Sequence, residues 1–237
     1  MLFQSLTRKV LLEFTGMSLG GGFKLRLHSS ERGYTLLAVG TAQQIAIIQI
    51  RRCDAVDVIR PIFTVNDLAQ IPDDGKRYEV LEGDLAVSPS PSWKHQRIVH
   101  YVHLWLTERE NAGLGKVATA PLDVVFDDNN VTEPDVLFIR TEHLNIIKEA
   151  NVQGAPDLVV EVLSSSTRER DLGVKAHLYA RFGVREYWVV DPEIATLSVY
   201  HLTPEGYEVS GPFRRGETIQ SCLFPGSPLV VADLFQP

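Results

Sequence analysis

Hydrophobic and polar positions change their spacing along the chain, and each spacing predicts an element. Residues 78–87 alternate around a Gly-Asp pair, which is typical of a β-hairpin. Residues 93–111 repeat their apolar positions at helical spacing, with Ile98, Val102 and Leu106 on one side. Glycines directly after this segment end the helix. The pattern therefore predicts a hairpin followed by a long amphipathic helix.

Three strand candidates follow this helix, at residues 121–126, 131–140 and 157–163. The third is apolar on both faces, which is typical of a central strand covered on both sides. A further helix is predicted over residues 168–182, where Ser166 and Glu169 have the spacing of a capping box. Strands that alternate with helices indicate an α/β fold, a mixed β-sheet flanked by helices.

The two ends of the chain differ in character. Residues 186–190 predict one more strand, and residues 196–201 and 207–209 predict an antiparallel C-terminal tail. Residues 1–56 contain a run of three glycines and no group of residues with catalytic spacing. We therefore expect an N-terminal extension over residues 1–56 and the main domain over residues 57–237.

Composition excludes several classes of protein. The chain is 44% hydrophobic and 22% charged, as is ordinary for a globular protein. No apolar run approaches the roughly 18–20 residues that a membrane helix needs. The N-terminus lacks the layout of a signal peptide, so we expect no membrane association and a cytoplasmic location. Cys53 and Cys222 fit no metal-binding spacing, which predicts two unrelated reduced thiols, with a single disulfide as the alternative.

The net charge of −7 is distributed unevenly. Residues 1–56 hold 7 Lys and Arg against 3 acids, so the rest of the chain carries −11. An acidic body has the wrong sign for non-specific binding to phosphates. A nucleic-acid substrate would therefore need a local cleft with basic side chains, which the net charge of the chain does not reveal. Bound cations could offset part of the excess acid.

Two acidic residues lie within apolar strands. Glu161 lies inside the apolar run 157–163, where a carboxylate needs a hydrogen-bond partner, a cation or a metal. Asp135 opens another apolar run directly after Pro134. Two acids at the ends of neighbouring strands could share Mg²⁺, which prefers carboxylate ligands. The alternative is that Glu161 is satisfied by an arginine or by backbone amides.

A lysine lies on the apolar side of the second predicted helix. On a helical wheel that begins at Leu172, the residues Ala176 and Tyr179 mark the apolar arc, and Lys175 falls inside it. The wheel therefore predicts that Lys175 turns toward the sheet; alternatively, its stem packs while its ammonium reaches solvent. Two metal-binding carboxylates and a directed lysine meet the needs of phosphodiester hydrolysis.

Taken together, these segments resemble the Uma2 family of restriction-endonuclease-like proteins, which share the PD-(D/E)XK nuclease fold. The resemblance spans residues 60–202. It implies a restriction-endonuclease-like mixed β-sheet flanked by helices, with the antiparallel C-terminal tail beyond it. The segments that carry it are, in chain order, 75–85, 134–136, 155–164, 171–175, Tyr179 and 183–192.

The resemblance also assigns site residues. It implies that Asp135 and Glu161 bind the metal, Mg²⁺ or alternatively Mn²⁺. It implies that Lys175 replaces the lysine expected two residues after Glu161, where this chain has Leu163. Glu79 matches an upstream acid that completes the site; the alternative is a charged hairpin residue without a role.

Two further residues have weaker assignments. Glu82 is a rival to Glu79 for the role of the upstream acid. His95 matches a histidine at the start of the helix in the family, which either contacts the phosphate or caps the helix, and capping is the simpler role.

The expected function is that of an Mg²⁺-dependent endonuclease that hydrolyses phosphodiester bonds of DNA. One alternative is a catalytically silent relative that binds DNA or a protein. Another is a metal-dependent hydrolase of a different phosphodiester. A homodimer is expected by analogy, because cutting both strands of a duplex often requires a symmetric pair.

Overall fold

The computed structural model describes three strands within residues 23–52 and then residues 61–236 except residue 73. The chain divides into two compact units, Met1–Arg60 and Pro61–Pro237. In the first unit three strands pair antiparallel in the order β1-β2-β3. They are β1 (Phe23–Ser29), β2 (Tyr34–Thr41) and β3 (Gln44–Arg52). The segment whose structure the sequence left open thus contains a β-meander.

The second unit contains the remaining strands and the helices. Its strands are β4 (Arg77–Leu81), β5 (Asp84–Ser88), β6 (Gly115–Thr119), β7 (Val124–Asp127), β8 (Asn130–Thr132), β9 (Val136–Arg140), β10 (Val152–Gln153), β11 (Leu158–Val162), β12 (Glu186–Asp191), β13 (Thr196–Thr203), β14 (Gly206–Arg214), β15 (Thr218–Ile219) and β16 (Leu229–Val230). Its helices are α1 (Val65–Leu68), α2 (Trp93–Asn111), α3 (Arg168–Arg170) and α4 (Ala176–Phe182), with a π-helical turn at Asp171–Lys175 and 3₁₀ turns at Thr141–Ile146 and Val231–Phe235.

Two large sheets organise this unit. The larger has the order β14-β13-β12-β11-β9-β6, in which β11 and β12 are parallel and the other neighbours antiparallel. The smaller has the order β10-β7-β8-β4-β5 and is antiparallel except for β10 and β7. A short pair, β15-β16, follows. The predicted mixed sheet with an antiparallel tail is therefore present.

The larger sheet is covered on both faces. Ile98 and Leu106 of α2 pack in one buried cluster with Val160 of β11. Leu178 of α4 packs in a second cluster with Val159, the preceding residue of the same strand. Successive side chains of a strand point to opposite faces, so the strand contributes to both clusters. This is why its sequence lacks the alternation of a half-exposed strand.

Several local predictions are confirmed. α2 spans the predicted residues, and the Ser92 hydroxyl accepts a hydrogen bond from the His95 amide at 3.2 Å to cap it. β4 and β5 form the predicted hairpin, with positive φ at both turn residues, Glu82 (53°) and Gly83 (82°). Two positive φ angles are typical of a type I′ turn, whose twist matches that of the strands.

The prediction of a single strand over residues 131–140 is wrong. β8 belongs to the smaller sheet and β9 to the larger, with Glu133, Pro134 and Asp135 between them. Proline has no amide hydrogen for a strand ladder and restricts the residue before it, so the pairing ends here. The chain therefore passes from one sheet to the other directly before Asp135.

The helix predicted over residues 168–182 is interrupted by the π-helical turn. The predicted capping box of Ser166 and Glu169 is not seen; instead the Ser164 hydroxyl accepts from the Thr167 amide at 3.2 Å. Leu172, expected in the apolar arc, is 42% exposed, while Asp171 is 2% exposed. A π turn holds an extra residue per turn, so a wheel drawn at a constant angle is out of phase before Lys175.

No helix among the described residues has the length and apolar character needed to cross a membrane. Cys222 is an exposed free thiol. Cys53 lies outside the described residues, so its predicted state is not addressed by the structure.

Candidate active site

One buried ammonium group is surrounded by three carboxylates. Lys175 Nζ lies 2.7 Å from Glu79 Oε1, 2.8 Å from Glu161 Oε1 and 3.6 Å from Asp171 Oδ1. These four side chains are between 1% and 3% exposed. The lysine therefore turns toward the sheet and not toward solvent.

Separate elements bring these groups together. Glu161 lies in β11 on the face covered by α4, sharing that face with Val159 by the strand period of two. Lys175 ends the π-helical turn, and Glu79 comes from β4 in the smaller sheet. The Glu79 carboxylate also accepts the Glu133 amide at 2.9 Å, close to the crossing between the sheets. The cluster thus lies where the two sheets and the helix meet.

Asp135 lies next to Glu161 and is held by three donors. Its Oδ2 accepts the Val162 amide at 2.9 Å and lies 3.0 Å from His95 Nε2. Its Oδ1 accepts from Arg77 Nη1 at 3.2 Å. Because Val162 directly follows Glu161, this backbone contact fixes the two predicted metal ligands side by side.

The two acids have opposite electrostatic environments. Burial raises the pKa of Glu161 to about 8 against the opposing effect of Lys175, and the charges of Asp171, Asp135 and Glu79 contribute to the rise. Burial would also raise the pKa of Asp135, but His95 and Arg77 hold it below its usual value. Asp135 is therefore charged at neutral pH, whereas the proton on Glu161 is retained until nearly pH 8.

Lys175 remains protonated in this environment. Burial by itself would lower its pKa, but Glu161, Glu79 and Asp171 together raise it well above the ordinary value. Tyr179 donates its hydroxyl to the same Glu161 oxygen at 2.8 Å, and its pKa is raised by burial and by that carboxylate. The cluster is thus rich in acid and contains two firmly protonated donors.

Three residues of the site were missed by sequence reasoning or assigned otherwise. Asp171 is buried beside Lys175, and only the π-helical turn places it there. Arg77 shares a strand face with Glu79, a period-of-two signal that could have identified it. The expectation that His95 caps the helix was wrong. Ser92 caps it, and the His95 side chain contacts Asp135 instead.

Glu82, the rival to Glu79, does not belong to the cluster. It is exposed in the hairpin turn, 3.3 Å from Arg181. Glu79 is the hairpin acid that reaches Lys175.

The cluster opens into a cleft of about 380 Å³. Asp135, Glu161, Asp171 and Lys175 line it. Two hydroxyl-rich segments, residues 88–92 and 163–167, form part of its walls, together with the basic residues Arg77, Lys94 and Arg170. The acidic average of the chain therefore conceals a cleft with basic side chains, as a nucleic-acid substrate would require.

The donor set fits a hard divalent cation. Four carboxylates, Glu79, Asp135, Glu161 and Asp171, stand near one another, and oxygen is the ligand that Mg²⁺ prefers. Glu79 Oε2 and Asp171 Oδ1 are buried and make no hydrogen bond, and each has only a long ion pair, with Arg170 at 3.5 Å and with Lys175 at 3.6 Å. A buried acceptor oxygen without a hydrogen bond is costly, and a cation would satisfy it.

A second group with metal-ligand spacing lies elsewhere among the described residues. Glu186, His201 and Cys222 bring their ligand atoms within 4.8 Å of one another. Glu186 pairs with Leu158 at the other end of β11 from Glu161. Its carboxylate accepts hydrogen bonds from Trp188, Ser221 and the Cys222 amide. This group is separate from the predicted site.

Comparison with known proteins relates the chain to one family and to solved structures. The family model described as "Uma2: Putative restriction endonuclease" matches residues 65–232. The fold is similar to the crystal structure of "a putative nuclease belonging to DUF820" from Anabaena variabilis ATCC 29413, with a TM-score of 0.62 and 20% sequence identity. That match covers 73% of this chain and 97% of the other. No curated protein matches the chain. The predicted restriction-endonuclease-like fold is confirmed.

Proposed function

Because the chain belongs to the Uma2 family, we propose that it hydrolyses phosphodiester bonds of DNA with Mg²⁺, or alternatively Mn²⁺, as its cofactor. The observation that carries this proposal is the cluster of Asp135, Glu161 and Lys175, three residues distant in the chain that line one cleft. Stability does not explain it, since buried ion pairs seldom stabilise a fold more than apolar residues would. Such a group is typical of a functional site.

Asp135 and Glu161 would hold the metal, with Asp171 and Glu79 beside them. A bound Mg²⁺ would supply Lewis-acid stabilisation of the phosphate charge and lower the pKa of water. Arg77 and His95 keep the Asp135 carboxylate charged and oriented. Fixing the ligands before the substrate arrives reduces the reorganisation that the reaction requires.

Lys175 would act as a hydrogen-bond donor. Its raised pKa keeps the ammonium protonated, so it cannot accept a proton from water near neutral pH. It can orient the attacking water and offset negative charge that develops on the phosphate. Charge stabilisation is therefore the role that the surrounding carboxylates favour for it.

The test is cleavage of supercoiled, linear and single-stranded circular DNA with Mg²⁺ or Mn²⁺. The wild type is expected to cleave at least one substrate, and Asp135→Asn and Glu161→Gln are expected to abolish cleavage while remaining folded. Glu82→Gln is the matched control, because this hairpin acid is exposed and outside the cluster. Cleavage by both Asp135→Asn and Glu161→Gln at the wild-type rate would contradict the proposal. Adding bis-p-nitrophenyl phosphate tests hydrolysis of another phosphodiester.

A second candidate, a catalytically silent binding protein, has one observation in its favour. Both oxygens of Asp135 already accept hydrogen bonds or contact His95. A carboxylate so engaged could serve as a structural link between α2, β4 and β11. Calorimetric titration with Mg²⁺ separates the two: heat that disappears in Asp135→Asn supports the enzyme, and no heat supports the silent protein.

A further inference from the structure

Among the described residues of 61–236, Trp93 is the one exposed side chain of the types Phe, Tyr and Trp. It is 79% exposed, at the first position of α2. The other two tryptophans differ from it, because Trp188 is fully buried and Trp105 packs against it with ring centroids 5.6 Å apart. A single exposed apolar residue is ordinary on a protein surface, so the meaning of Trp93 depends on its surroundings.

Trp93 lies between residues that line the candidate cleft, and its own side chain is outside the lining. Its neighbours in the chain, Ser92 and Lys94, both line that cleft. Two residues further along, His95 reaches into the cluster and contacts Asp135 at 3.0 Å. The indole is therefore exposed within one helical turn of His95, which contacts the proposed metal ligand Asp135.

The segment of the chain that contains Trp93 is basic, whereas the chain as a whole is acidic. Between Asp84 and Glu108 the sequence contains no acidic residue. At helical spacing Trp93, Arg97 and His100 fall on one face of α2, and the Arg97 guanidinium stacks on the Tyr101 ring at 4.7 Å. Lys94 is exposed at the cleft edge. This basic face with one aromatic ring, formed by Trp93, Lys94, Arg97 and His100, complements a phosphate backbone that carries bases.

The depth of the site restricts the form of the substrate. Asp135, Glu161 and Asp171 are 2–4% exposed, so the scissile phosphate has to enter the cleft. An unpaired strand can enter without a partner strand, and its bases are free to stack on a protein ring. In a duplex the bases stack on one another, so no base face would be available for stacking on an indole outside the cleft.

We propose that Trp93 and the basic face around it bind an unpaired strand of nucleic acid, with the indole stacked on a base next to the phosphate that enters the cleft. This rests on the proposed nuclease function and adds its substrate class, single-stranded nucleic acid. The aromatic ring supplies affinity without sequence preference, because every base presents a π-face.

The experiment measures binding separately from cleavage. Full-length protein carrying Glu161→Gln is titrated in EDTA with fluorescein-labelled oligo(dT), oligo(rU) and a duplex, each of about 16 nucleotides or base pairs, the upper site size of one single-strand-binding module. Adding Trp93→Ala is expected to weaken binding of a single strand by about 10-fold, as one base-stacking contact provides. Trp93→Phe should retain most of the affinity. Leu114→Ala, an exposed apolar residue just beyond the other end of α2, is the matched control.

Intrinsic fluorescence supplies a second readout. A stacked base quenches an exposed indole, so the single strand should quench emission of the parent and not of Trp93→Ala. The inference is upheld if Trp93→Ala weakens single-strand binding and leaves duplex binding unchanged; preference for oligo(dT) or oligo(rU) then identifies the strand. It is overturned by equal affinities of parent and Trp93→Ala, by equal losses for single strand and duplex, or by no binding of either oligonucleotide. Absence of cleavage by the wild type would count against the nuclease and leave this binding result intact.

Discussion

The Lys175 ammonium lies 2.8 Å from the Glu161 carboxylate, although fourteen positions separate the two residues in the chain. In the eponymous nuclease motif the lysine follows two residues after the acid. Here that position is Leu163, which packs in the buried cluster with Tyr179. The ammonium instead reaches Glu161 from the helical segment that follows the strand. Position 163 can therefore stay apolar and buried while a positive charge still lies next to Glu161.

Glu161→Gln should cost the metal-free protein no stability at pH 8 and above. The folded-state pKa of about 8 exceeds the ordinary 4.5, so the native state binds a proton that the unfolded chain releases. Stability of the wild type therefore falls as pH rises between these values, and the Gln variant lacks this loss. We expect the variant to be the more stable by on the order of 2 kcal/mol above pH 8, and the difference to shrink as pH falls from 8 and to vanish below about pH 4.5. Thermal unfolding in EDTA across this pH range measures it; a variant less stable at every pH would contradict it.

Lys175→Met should have the opposite effect on stability. Removing the ammonium leaves Glu79, Glu161 and Asp171 buried together without their shared cation. The loss should be about 3 kcal/mol, as for other broken buried ion pairs. Chemical denaturation in EDTA measures the free energy of unfolding, with Lys116→Met as the control, because its ion pair with Glu110 is exposed.

Mg²⁺ should restore part of the stability that Lys175→Met loses, since a divalent cation can offset the same carboxylates. Turnover should fall in this variant even when the metal is bound. Unchanged turnover would remove Lys175 from the mechanism.

Gly115→Ala should destabilise the larger sheet. A Cβ at this position of β6 would stand 2.2 Å from the Ile139 carbonyl oxygen and 2.6 Å from the Phe138 ring. The backbone oxygen cannot move without disturbing β9, so we expect a loss of about 2 kcal/mol. Gly173→Ala is the matched control, because nothing lies within 4 Å of its added Cβ and alanine favours a helix. Equal melting temperatures for the two variants would contradict this packing.

The Cys222 thiol should react slowly for an exposed cysteine. Burial of its sulfur and the neighbouring Glu186 carboxylate raise its pKa to about 11. Because the thiolate is the nucleophile, alkylation by iodoacetamide should remain slow at pH 8 and accelerate up to about pH 11. Mass spectrometry of a Cys53→Ser background reads the rate at Cys222 alone. Glu186→Gln should shift the rate profile to lower pH, and a profile that levels off near pH 8 in the parent would refute the assignment.

Local patterns were sufficient for much of the fold. The span of α2 follows from helical periodicity and a serine cap, and the β4–β5 hairpin follows from alternation around a turn. These features depend on neighbours in the chain, which a sequence displays directly. The burial of Glu161 and Lys175 was also predicted, because each is a charged residue in an apolar context.

Tertiary structure decided the rest of the site. The π-helical turn buries Asp171 and exposes Leu172, against the phase of a regular wheel. Pro134 ends one strand, but only packing assigns β8 and β9 to different sheets. The sequence by itself determined that Glu161 and Lys175 carry charge into apolar surroundings, since their neighbours in the chain are apolar. Which charges meet, such as Glu79 with Lys175 and His95 with Asp135, was decided by contacts between distant elements that no local period encodes.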